Sequence, residues 1–153
     1  MKKLLLRLRE AAHADPETVW FETVSSADVE AAESYLGFEL PTLLTRSFVH
    51  IGNGGFGPGP LIGLPGGHES AHGDLLQTWS ALQDNDDCEE VWLPIIDWGG
   101  RQFSLIDCDD LQMITLYEGE FHIEDYTFDE LLTRWLAGEL PELHSGSFVR
   151  KEE

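Results

Sequence analysis

The sequence predicts an α+β fold: N-terminal helices and one C-terminal helix packed on a mostly antiparallel, twisted β-meander. Three observations carry that expectation. Between residues 3 and 83, apolar side chains recur at helical spacing in segments separated by Gly and Pro. Between residues 91 and 126 the pattern changes to a period of two, in four stretches joined by links of two or three residues. Such links are too short for helical crossovers, so the strands must run antiparallel. From residue 127 the helical period returns.

Leu4, Leu5, Leu8, Ala11 and Ala12 share one side of a first helix over residues 3–13, which Asp15-Pro16 ends. Ser25 or Ser26 caps a second helix over residues 27–36, closed by Gly37. Pro41 suits the first turn of a third helix, because its missing N–H is not needed there. Leu43, Leu44, Phe48 and Ile51 are its apolar side. Residues 52–73 hold nine glycines and three prolines, too many for a regular element, yet also Phe56, Leu61, Ile62 and Leu64. The expectation there is an ordered loop with one short strand at Leu61–Leu64. A fourth helix is expected over residues 72–83, with Leu75, Leu76, Trp79 and Leu82 on one side, followed by a solvated turn at Asp84-Asn85-Asp86-Asp87. The strands are expected at residues 91–98, 101–108, 112–118 and 121–126. Thr127 and Glu130 form a capping box for the last helix, whose stripe is Phe128, Leu131, Leu132, Trp135 and Leu136.

Length and composition narrow the class. A chain of 153 residues is expected to form one domain. Its 42% apolar content is too high for a disordered acidic chain. Cys88 and Cys108 are too few for a disulfide framework or zinc knuckle, and unpaired thiols suit a reducing cytoplasm. The apolar run Leu4-Leu5-Leu6 stops at Arg7, which argues against an export signal. The net charge of −20 disfavours nucleic acid and anionic membranes, and favours a cationic partner. That charge is uneven. Lys2, Lys3, Arg7 and Arg9 make the first helix locally positive, whereas residues 47–133 set seventeen carboxylates against Arg101 alone.

Leu36-Gly37-Phe38-Glu39-Leu40-Pro41, Phe48 and Asn53-Gly54-Gly55 together resemble a motif series of the SUKH superfamily, which includes cell-wall regulators of the Smi/Knr type. Leu93-Pro94-Ile95, Asp97-Trp98-Gly99, Ile106-Asp107-Cys108 and the final Trp135 and Gly138 continue the likeness in order. It covers about residues 27–138 of a domain taken as 1–153. The resemblance implies a non-enzymatic protein-binding domain without a cofactor. Bacterial members look like immunity proteins that neutralise toxins, often nucleases. An acidic surface would fit a toxin with a basic groove, with electrostatic steering of the encounter. An intracellular regulator or scaffold is the alternative.

Several residue sets compete for chemistry. His68-Glu69-Ser70-Ala71-His72 matches H-E-x-x-H. On a helix, His68 and His72 would share a face and hold zinc while Glu69 activates water, making the protein a zinc-dependent hydrolase. The flanking glycines Gly66, Gly67 and Gly73 argue for a loop instead. Gly52 to Gly57 satisfies G-x-G-x-x-G, but a helix precedes it and Pro58 follows, so a loop is expected rather than a nucleotide cradle. The run Asp84, Asp86, Asp87, Glu89 and Glu90 reads as a solvated turn or a partner-facing patch. Asp107, Asp109 and Asp110 read as turn residues. Trp92 and Trp98 have the same parity on one strand and are expected to share a face. With Asp97 and Arg101 beside it, Trp98 lies where a binding edge can form. The partner-binding candidates are therefore Asp84, Asp86, Asp87, Glu89, Glu90, Asp97, Trp98 and Arg101.

Overall fold

A computed structural model describes residues 2–139; Met1 and residues 140–153 of the expected domain lie outside them. The fold is α+β, with four helices before the sheet and one after it among the described residues. Helix α1 (Lys2–Ala14) buries Leu5, Leu8 and Ala12. Helix α2 (Ser26–Leu36) starts at a capping box, in which the Ser25 side chain accepts from the Asp28 N–H and the Asp28 carboxylate accepts from the Ser25 N–H. It stops at Gly37, whose φ of 86° favours glycine and whose N–H closes the last turn on Glu33 O. Helix α3 (Thr42–His50) begins one residue later than expected, with Pro41 as its N-cap.

Helix α4 (Leu75–Leu82) is shorter than the expected 72–83. Its boundary is set by side chains: Asp74 caps the Gln77 N–H while Gln77 returns to the Asp74 N–H. Upstream, Ser70 and Gly73 exchange two backbone hydrogen bonds in a tight turn, which no helix can include. The strands follow as β1 (Trp92–Gly99), β2 (Gln102–Asp107), β3 (Gln112–Tyr117) and β4 (Glu120–Thr127), paired antiparallel in sequence order. Helix α5 (Phe128–Leu136) opens at the predicted Thr127–Glu130 capping box.

The sheet separates two apolar clusters. Adjacent strand residues divide between them, as the pleat requires: Ile106 and Met113 join one cluster, Leu105 and Ile114 the other. The larger cluster takes side chains from every helix, including Leu8, Leu36, Leu44, Phe48, Leu75 and Leu131. Each fully buried Leu, Ile or Phe here contributes about 1.5–3 kcal/mol of transfer free energy. The smaller cluster, on the opposite face, gathers Leu82, Cys88, Phe103, Leu105, Ile114 and Leu116, with Trp92 and Phe121 against it.

Two expectations about the strands fail. The shared face of Trp92 and Trp98 is overturned. Pro94 pairs with Leu105 and Ile96 with Ser104, so Ile95 is an extra residue in β1. This bulge shifts the parity. Ile95 and Ile96 both enter the larger cluster, and Trp92 and Trp98 end on opposite faces. The short strand at Leu61–Leu64 reduces to a single bridge between Leu61 and Ile96. Leu61, Ile62 and Leu64 are nonetheless fully buried, so the loop is part of the core.

Candidate functional site

A groove of about 430 Å³ lies beside the end of β1. That is the size of a pocket for one large side chain or a small ligand, in a usual range of about 300–1,000 Å³. Four parts of the chain build it. The first is the exit from α1, where Asp15, Glu17 and Thr18 stand on the wall. Thr18 Oγ1 donates to Ala12 O at 2.8 Å, capping α1 and turning the chain there. Asp15 accepts from the Glu17 N–H, and Glu17 itself is exposed.

The second part is the glycine-rich loop, from Gly55 to Pro60. Asn53 holds this loop in shape from below. It is 3% exposed, donates to Leu64 O, accepts from the Leu64 N–H, and receives the His68 N–H on its carbonyl. The other two parts are the end of β1, with Asp97 and Trp98, and α5, with Trp135; with the buried Phe56 of the loop they make the wall aromatic. Trp98 is oriented by a 2.7 Å hydrogen bond from its indole N–H to Ser104 Oγ. Gly59 lies directly on the indole, where a Cβ would meet Trp98 and Ile96 at 2.8 Å. The groove thus pairs indole surfaces with the carboxylates of Asp15, Glu17 and Asp97, and none of its lining residues is cationic. Such a surface suits a cation, since an ammonium or guanidinium over an indole gains about 0.5–2 kcal/mol.

Of the predicted partner residues, the fold brings only Asp97 and Trp98 to this groove. The Asp97 carboxylate also has local duties, accepting the Ala71 N–H at 3.0 Å and the Gly99 N–H at 2.8 Å. Arg101 sits at the exposed β1–β2 turn with φ of 65°. Asp84, Asp86, Asp87, Glu89 and Glu90 are exposed on the loop before β1. That loop anchors Cys88 in the smaller cluster, so its carboxylates attach to the sheet face away from the larger core on which Trp98 packs. Asp15, Glu17, Phe56 and Trp135 were not among the expected site residues. No single-segment signal marks them, because they converge only through tertiary packing.

The H-E-x-x-H stretch is not a helix. Ala71 and His72 form the tip of the Ser70–Gly73 turn. The two imidazoles are held by different aromatic partners: His68 edge-on to Phe21 at 5.9 Å, and His72 stacked on Phe103 at 5.8 Å. Burial pushes His68 below the usual histidine range, against the opposing pull of Asp97 and Glu69. Among the described residues, no three His, Cys, Asp or Glu side chains are grouped to hold a metal. The G-x-G-x-x-G stretch is likewise a loop after a helix, with positive φ at Gly54, Gly55 and Gly57.

Asp107 and Asp110 accept the N–H groups of Asp109 and Gln112, the turn roles expected of them. Burial drives the Cys88 thiol up to about 11 and the Cys108 thiol to about 12, so neither is a ready nucleophile. No described helix is long and apolar enough to cross a membrane. No protein-family model matches the chain, and no relative is found among the curated proteins.

Proposed function

We propose that this chain is a non-enzymatic, cytoplasmic protein-binding domain of the SUKH type, and that it acts as a bacterial immunity protein by occluding the basic surface of a cognate toxin. The observation that supports this reading most is the groove at Trp98. Its indole surfaces and its carboxylates come from three separate parts of the chain, and no lining residue is cationic. A lysine or arginine from a basic toxin face would meet both an aromatic surface and a negative field there. The wider charge of −20 would speed the encounter without fixing its geometry.

Affinity purification from native cells provides the test. The expected result is a basic, toxin-like protein whose recovery falls steeply with salt and is lost in a Glu17→Lys, Trp135→Ala variant. Recovery of no such protein, or recovery unaffected by that variant, would sink the proposal.

A further inference from the structure

We propose a second docking site, in the groove between α1 and α3, for an acidic peptide segment of a partner protein that carries apolar side chains among its carboxylates. The groove measures about 260 Å³ and is lined by Lys2, Leu5, Leu6, Arg9, Arg46, His50 and Ile51. Its charge is opposite to that of the groove at Trp98, and its floor is apolar. Leu6 is 57% exposed there, which leaves apolar surface open to a ligand beside the cations.

Two observations indicate that the site is reserved for an external anion. Among the described residues, Lys2, Arg9 and Arg46 make no ion pair. The charges of α1 also run with its dipole instead of against it. A helix N-terminus is stabilised by acidic residues, yet the first turn of α1 has none and begins Lys2-Lys3. Asp15 and Glu17 follow its C-terminus, where cations would be favoured; only His13, its ring tilted against Trp20, follows the rule. Each of these charges strengthens the field at the nearer groove. One helix, about 20 Å long, therefore carries the positive end of its dipole to one groove and the negative end to the other.

The geometry selects a peptide over an anionic membrane or nucleic acid. A planar bilayer or a duplex meets a broad surface of the protein, most of which is negative. A peptide lying in the groove meets the local field, because charges beyond about 8 Å are screened at physiological salt. The apolar floor of Leu5, Leu6 and Ile51 further asks for apolar side chains in the ligand.

Fluorescence anisotropy on the full chain tests this, using a labelled synthetic peptide in which glutamates alternate with leucines and an all-glutamate peptide of equal length. The expected result is saturable binding of the first peptide, about tenfold tighter than the second. Arg9→Glu with Arg46→Glu should weaken it at least about tenfold, and Leu6→Ser should remove the preference for leucine. All three residues are exposed, and an unchanged Tm confirms that the variants fold. Absence of saturable binding, equal affinity for the two peptides, indifference to these variants, or tighter binding to phosphatidylglycerol vesicles would each overturn the proposal.

Discussion

Residues 52–74 and residues 83–91 are both irregular, yet they are built in opposite ways. The first segment is rich in glycine and buries Phe56, Leu61, Ile62 and Leu64. Many of its backbone groups bond to one another, to Asn53, and to Val19, Leu75 and Ile95 outside the segment. The second is rich in carboxylates and stays exposed, tied down by the buried Cys88 and by Asn85 donating to Gly119 O at 3.3 Å. The difference shows what composition means in each. Glycine in the first segment permits close backbone approach: a Cβ on Gly63 or Gly67 would lie 2.2 Å from Asn53 O. Acidic residues in the second permit solvation, since water can satisfy groups the protein does not.

That contrast can be broken most directly at Asn53. Replacing it with Ala leaves the Leu64 N–H buried without its partner, while the Leu64 C=O keeps only the Gly67 N–H, and should cost about 1–3 kcal/mol in urea unfolding. Gly67→Ala should do at least as much through the clash with the same residue. A loss below about 0.5 kcal/mol for both would show that the loop is not clamped there.

Proton linkage should also divide the two segments. The Cys88 thiol, raised from 9.0 to about 11, is neutral in the fold when the unfolded chain already ionises. Its stabilising contribution is therefore complete below pH 9.0 and lost as the pH rises toward 11. His68 has the opposite sign: its lowered value favours the neutral ring in the fold, so its contribution is present above pH 6.5 and declines as the pH falls below that. Tm measured against pH should show a weaker alkaline decline in Cys88→Ala and a weaker acid decline in His68→Phe. Cys108, raised from 9.0 to about 12, adds to the alkaline loss and should persist in Cys88→Ala.

Smaller effects test the edges of the comparison. Trp98→Phe removes the hydrogen bond to Ser104 and should cost about 1 kcal/mol in the same unfolding measurement. Asp84→Asn combined with Asp86→Asn and Asp87→Asn should change stability by less than about 0.5 kcal/mol, because the three carboxylates are exposed. A larger change would mean that the acidic loop contributes more than solvation.

Much of the fold was legible because its signals are local. The Thr127–Glu130 capping box, the closing Gly37 and the four period-two stretches need only residues a few positions apart. The start of α4 differs because the Ser70–Gly73 turn excludes residues 72 and 73 and Asp74 serves as the N-cap. The parity of Trp98 was misjudged because a bulge adds a residue without a composition cue. At the site, Asp97 and Trp98 were legible as residues near a turn. Asp15, Glu17, Phe56 and Trp135 were not, since they lie far apart along the chain.

The amino-acid sequence alone determined the α+β order of elements, the antiparallel meander, the charge of −20 and the concentration of positive charge in the first helix. These follow from short-range periodicity, capping chemistry and counting. Tertiary structure alone decided which charges meet which apolar surfaces. It set Asp15 and Glu17 against Trp98 and Trp135, and joined Arg9 to Arg46 across an apolar floor. The physical reason is that packing brings together residues with no sequence relation, and a field is set by distance in space.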